Sequence, residues 1–295
     1  MTPELTPAAT GLVVGYQTQA GPDVVTFARR WARASGEPVT FVAVYPGPAP
    51  LGAGRVDAEW VAYNHEEAER ILSEARRLMG EDVPAHFRAL AGDSASHGLH
   101  DLAEQLPDDP AVVVLGSRKS RGTRRTNPGS TAERLLQGAP VAVGLVPWGY
   151  DDSADTDLSR ITVGYLDTPD GRVALTAATR IAQRLHARLE VVTVVPDTRV
   201  VPSLGDPRPF RMEQHASYRQ SLDAAVAGLP ADVRATGRLL DGPTVDALAD
   251  LTPDETDLLV CGSRGYGPTR RVLLGGVSSR VLRHARVPVL VVPRG

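Results

Sequence analysis

Apolar residues run along this chain in short unbroken stretches, separated by segments of helical period, and the series occurs twice. The first copy opens on Leu12-Val13-Val14-Gly15-Tyr16 and the second on Ile161-Thr162-Val163-Gly164-Tyr165. Each opening leads through a polar turn into a helix, predicted over residues 24–34 and 172–187, then into a β-branched run ending in proline, residues 39–46 and 189–196. Such runs, bounded by turn residues, read as buried strands. Gly92-Asp93 and Asp241-Gly242 then precede short helices near residues 99–105 and 245–251. A fourth pair of runs covers 111–118 and 257–264, a last pair of helices 131–137 and 278–284, and a closing pair of strands 140–143 and 288–293.

Alternating strands and helices, with strands that are continuous apolar runs, predict an α/β fold whose parallel sheet is covered on both faces. Right-handed crossovers make it doubly wound. The repeat predicts two such domains, residues 1–147 and 160–295, joined by an acidic, turn-rich linker at 148–159. Two irregular stretches, 46–54 and 196–209, occupy equivalent places and read as mobile surface insertions.

A chain of 295 residues suits two domains of ordinary size. The formal net charge of -3 argues against a dedicated nucleic-acid binder. A single cysteine, Cys261, excludes an internal disulfide and suits a reducing compartment. The opening residues lack a basic cluster followed by an apolar run, and no apolar stretch is long enough for a bilayer. The expected location is therefore the cytoplasm, with no membrane partner.

In a doubly wound sheet, ligands bind beyond the carboxyl ends of the strands, at the switch point. That places a candidate site in each half, between the loop after the first strand and the glycine loop after the fourth. The richest such loop is Gly262-Ser263-Arg264-Gly265-Tyr266-Gly267-Pro268, followed by Leu274-Gly275-Gly276-Val277-Ser278-Ser279. Glycines allow close approach of backbone to ligand, and a helix starting near Val277 turns unpaired amides toward the same space. Ser278 or Ser279 is in position to cap that helix or to bond a phosphate oxygen. Arg264, Arg270 and Arg271 add charge. The plainer reading is that the glycines only make turns.

Other polar clusters carry less chemistry. The run Arg118-Lys119-Ser120-Arg121-Gly122-Thr123-Arg124-Arg125 reads as a solvated loop, with no interleaved aromatics for single-strand binding. His97 and His100 share a helical face without a third ligand, so no metal is expected. Cys261 reads as an inert core thiol beside the pocket. No nucleophile elbow and no Walker lysine appear.

These motifs resemble the universal stress protein family, whose ATP-binding members carry G-x-x-G, nine residues, then G-[S/T]; Gly262, Gly265 and Gly275 match at that spacing. The resemblance spans nearly the whole chain. It departs at Gly276, where Ser or Thr is usual, and at Lys119, which replaces the second glycine of the first half; Gly116 and Gly129-Ser130 match there. Gln17 and Leu166 stand where such members place an aspartate, with Asp167 one residue away. Carried across, the resemblance implies ATP or another adenine nucleotide as ligand. Its base would lie near Tyr165, Leu166 and Val194, and its phosphates near Gly262, Gly265, Gly275, Gly276, Val277 and Ser278; Cys261, Arg264 and Ser279 complete the candidate binding set. First-half equivalents are Tyr16, Gln17, Val44, Gly116, Arg118, Gly129, Ser130 and Thr131, and the glycines favour the second half. The family's use of its last strand as an interface implies that strands 141–143 and 289–292 pair in an intramolecular pseudo-dimer, with a further homodimer as an extension. The function expected is nucleotide sensing in a stress response, together with an unidentified protein partner. A nucleotide-independent interaction scaffold with degenerate pockets and a weak ATP hydrolase are the alternatives.

Overall fold

Both series of alternating elements form as α/β units and lie side by side in one sheet. The structure is a computed structural model describing residues 11–17, 21–47, 58–106, 111–118, 126–150, 156–196, 208–263, 271–272 and 274–294. The first half runs β1 (Leu12–Gly15), α1 (Asp23–Ser35), β2 (Val39–Pro46), α2 (Ala58–Met79), β3 (Ala85–Gly92), α3 (Ala95–Gln105), β4 (Val112–Gly116), α4 (Gly129–Leu135) and β5 (Ala142–Val146). The second runs β6 (Arg160–Gly164), α5 (Pro169–Arg184), β7 (Arg188–Val195), α6 (Arg208–Ala227), β8 (Ala235–Asp241), α7 (Thr244–Ala249), β9 (Leu258–Gly262), α8 (Gly276–His284) and β10 (Val289–Val292).

The ten strands form a single sheet in the order β3-β2-β1-β4-β5-β10-β9-β6-β7-β8. Pairing is parallel within each half, and the halves join through antiparallel β5 and β10, with Leu290 opposite Gly144. The pseudo-dimer expected from the closing strands is therefore present as one continuous ladder. Successive strand residues point to opposite faces. Leu12, Val14 and Phe41 pack with Phe27, Trp31 and Leu72 under α1 and α2, while Val13, Val113 and Val143 pack with Leu99 and Leu135 under α3 and α4.

Gly144 holds the seam closed by having no side chain. A Cβ there would sit 2.9 Å from Val114 Cγ2 and 3.3 Å from Leu290 Cδ1. Gly144→Val is expected to overpack the seam at a cost of about 1–3 kcal/mol, read as a lower urea midpoint.

Several boundaries differ from expectation for local reasons. The last strand of the first half begins at Ala142, not Pro140, and extends to Val146; proline has no N–H for the ladder. Thr168 is the N-cap of α5, accepting from Gly171 N at 3.1 Å, with Pro169 in the first turn, so that helix starts at 169. Pro209, expected in an irregular stretch, lies in the first turn of α6. Residues 48–54 and 197–207 of the two irregular stretches lie outside the described residues, as do 151–155 of the joint.

What is described of the joint packs against the core. Tyr150 and Leu158 are buried, and the Tyr150 ring meets Phe27 edge-on at 6.1 Å. Arg30 of α1 crosses to the second half: its Nη2 donates to Asp257 Oδ1 at 2.8 Å and its Nε to Thr156 O at 2.6 Å, and it also donates to the Tyr150 hydroxyl. Asp257 further accepts from Ser159 N at 3.0 Å and Arg160 N at 2.9 Å. The predicted fourth strand of the second half thus starts at Leu258, because Asp257 turns its carboxylate into this buried cluster.

Candidate functional site

Each half reverses direction between its first and fourth strands, which opens a crevice at their carboxyl ends. The two crevices differ sharply. Between β6 and β9 lies a cavity of about 400 Å³, within the range of small-ligand sites. The matching space between β1 and β4 is about 30 Å³.

Side-chain volume explains the difference. In the first half Leu115 Cδ2 and Leu99 Cδ1 come within 2.6 and 2.7 Å of where a Cβ on Gly15 would sit. The residue at the end of β9 matching Leu115 is Cys261, and the nearest atom to the corresponding point on Gly164 is Leu248 Cδ1 at 3.2 Å. Arg118 also lies across the start of α4, its Nε 3.2 Å from the Cβ position of Gly129, whose φ is +71°. Among the described residues, Leu115 and Arg118 narrow the first crevice, while the second has the smaller Cys261 at the position of Leu115.

The floor of the open cavity is the start of α8, where Gly275 is the N-cap and makes no side-chain cap. The first amides of a helix have no acceptor one turn back, so those of Gly276, Val277 and Ser278 face the crevice with the positive end of the helix dipole. A Cβ on Gly276 would meet nothing within 4 Å, so open space lies above this turn. Ser263, just past β9, is among the lining residues; its hydroxyl is fully enclosed with no hydrogen-bond partner among the described residues, as is that of Ser117 at the matching place in the first half.

The walls are mostly apolar. Tyr165, Val192, Val194, Leu248 and Cys261 line them, and Leu166 and Val277 are exposed at the mouth. The Tyr165 backbone continues the ladder, its N–H donating to Val192 O at 2.8 Å, and its hydroxyl donates to Asp167 at 3.3 Å. Asp167, which also pairs with Arg172, is not among the lining residues. Burial pushes the Cys261 thiol up to about 12, so it stays protonated and unreactive near neutral pH.

Of the second-half residues expected at a site, Tyr165, Leu166, Val194, Cys261, Gly262, Gly275, Gly276, Val277 and Ser278 line one cavity. Arg264 and Gly265 lie outside the described residues. Ser279 is not part of the lining; its N–H donates to Gly275 O at 2.9 Å within the first turn of α8. The Ser278 hydroxyl donates to Gly262 O at 2.8 Å, tying α8 to β9, and the N-cap position is taken by Gly275, so the capping role expected of Ser278 or Ser279 is not the one seen. In the first half Tyr16, Gln17, Val44, Gly116, Arg118, Gly129 and Thr131 surround the small crevice, and Ser130 does not.

Among the lining residues that sequence reasoning missed are Thr168, Asp170, Val192, Tyr218, Thr244 and Leu248. Thr168-Pro169-Asp170 was detectable as an N-cap, a first-turn proline and a first-turn acid. Tyr218 had no such signal, because it reaches the cavity from α6 only through the packing of that helix.

The description "Universal stress protein family" fits residues 11–147 and again 158–293. The chain belongs to the universal stress protein family. A universal stress protein of Mycobacterium tuberculosis strain H37Rv is 29% identical over 303 residues, covering 96% of this chain and 99% of its own length. One from Mycolicibacterium smegmatis is 27% identical, covering 96% of both. A universal stress protein from Archaeoglobus fulgidus matches the fold with a TM-score of 0.68 at 20% identity, over 97% of this chain and 99% of that one. The tandem arrangement of this family member thus extends over whole relatives of similar length. No helix among its described residues is long and apolar enough to cross a membrane.

Proposed function

We propose that this universal stress protein binds an adenine nucleotide, ATP or a close relative, in its second half, and that occupancy is the regulatory signal it carries in a stress response in the cytoplasm. The observation carrying this reading is the roughly 400 Å³ cavity that combines apolar walls with the start of α8. The purine suits Tyr165, Val192 and Val194, with Leu166 at the mouth. The phosphates suit the turn from Gly275 to Ser278, where helix amides and dipole favour an anion. Ligand-linked ordering of this turn makes the protein a sensor by population shift. Asp170, the acidic residue among the described lining, pairs with Arg294 at 3.7 Å, and nearby in sequence Asp167 pairs with Arg172, which favours sensing over hydrolysis.

The first half supports a second role. Its crevice, narrowed by Leu115 and Arg118, suits a nucleotide-independent scaffold that buttresses the binding half.

Thermal unfolding with ATP, ADP, AMP and cyclic AMP tests the nucleotide reading. A ligand at a hundred times its Kd stabilises the folded state by about 2.7 kcal/mol, so at least one nucleotide is expected to raise Tm by several degrees. No shift with any of them at millimolar concentration overturns it.

A further inference from the structure

The turn that floors the cavity is held in place by the other half of the molecule. Val272, buried, donates its N–H to Ala139 O at 2.8 Å. Arg271 donates to Gly138 O at 3.0 Å, pairs with Glu104, and lies 3.3 Å from His100 Nε2. His100 and Glu104 lie on α3, and Gly138 and Ala139 follow α4, all in the first half. Leu274 and Gly275, which lead into α8, follow one residue after this anchor in the chain. The first half does the same in reverse. Thr126 occupies the position matching Val272, is buried, and donates its N–H to Arg283 O of α8 at 3.0 Å. Each crevice loop therefore ends on the last helix region of the opposite half.

We propose that the second-half site is composite, with Arg271 as a positioning residue that uses α3 and α4 of the first half to fix the α8 amides facing the cavity. An arginine bound at once to a carboxylate and a carbonyl is held in one orientation, which a flexible ammonium does not reproduce. Three residues beyond Val272, at Gly275, the chain begins to line the cavity, so an anchor on one half sets the geometry of a site in the other. This couples whatever shifts α3 or α4 to ligand affinity in the second half, and by linkage the ligand to that contact. The proposal rests on the nucleotide reading only for the identity of the ligand.

Hydrogen exchange on the full chain tests it without any ligand. Arg271→Ala is expected to raise exchange about tenfold at the hydrogen-bonded amides of this segment, Val272 and Ser279, the scale of a lost charge-assisted hydrogen bond, while β9 and β10 stay protected. Arg271→Lys is expected to fall between it and the wild type. Glu104→Gln, which changes only the first half, is expected to act on the same two amides in the same direction and less strongly. Unchanged exchange at Val272 and Ser279 in both Arg271→Ala and Glu104→Gln overturns the proposal, as does loss of protection spread evenly over β9 and β10. An ATP titration of the same proteins then reads affinity, expected to weaken about tenfold in Arg271→Ala. If the wild type does not bind ATP while the exchange pattern holds, the nucleotide reading fails and the composite site stands.

Discussion

Asp257→Ala is expected to destabilise the protein by about 3–5 kcal/mol, because it leaves the Arg30 guanidinium buried without its counter-charge. Both side chains are almost wholly enclosed, at 5% and 3% exposure. Domains are stable by only about 5–15 kcal/mol, so this loss is a large share of the total and should appear directly in urea unfolding. The double replacement Arg30→Met with Asp257→Leu is expected to recover much of it, since a buried pair can be exchanged for apolar packing. A double mutant no more stable than Asp257→Ala would show that the charges themselves hold the halves in register.

The same cluster sets an acid limit. Burial pushes the Asp257 carboxyl up, but hydrogen bonds from Arg160 and Ser159 N, with the charges of Arg30 and Arg160, outweigh it and hold the group below its ordinary value of 3.8. A carboxyl lowered by folding contributes stability that is complete above its unfolded pKa and is lost as pH falls through the folded one. Stability at pH 7 and pH 5 should therefore be alike with respect to this group. Its contribution should fade below pH 3.8, and that acid-dependent loss should be absent in the double mutant.

Cys261→Leu is expected to weaken ligand binding in the second half. It installs the side chain that Leu115 presents in the first half, where Leu115 and Arg118 both line a crevice of about 30 Å³ against about 400 Å³ here. Binding should weaken by at least a hundredfold, equivalent to about 2.7 kcal/mol, in a titration with the nucleotide that shifts the wild-type Tm. Overpacking should cost about 1–3 kcal/mol of stability, leaving the fold intact. Unimpaired binding in Cys261→Leu would move the ligand out of this cavity altogether.

The repeat was legible because buried parallel strands must be apolar on both faces. Leu12 to Val14, Val112 to Leu115, Leu258 to Cys261 and Val289 to Val292 are such strands, and each was visible as an unbroken run. The edge strands β3 and β8 were not, since their residues are mostly half-exposed and alternate only weakly. The long helices α2 and α6 went unnoticed for a related reason. Each rests on the sheet through few residues, among them Ala68, Leu72, Ala75 and Met79 in α2 and Leu222 in α6. At the site, the glycines and the loop after β6 were readable because chain geometry demands them. The commitment of the Ser278 hydroxyl to Gly262 O was not, because nothing local to Ser278 names its partner across the strand.

By itself the sequence determined the alternation of strand and helix, its duplication, and the switch-point loops where a ligand would enter. These follow from periodicity and turn chemistry, which are local. Only the tertiary structure decided which crevice is open and how the halves hold each other. The first depends on whether Leu115 or Cys261 meets a glycine of a neighbouring strand, and the second on Arg30 reaching Asp257 across 227 positions of chain. Side-chain volume and buried charge act through space, and their partners are set by packing between elements far apart in the chain.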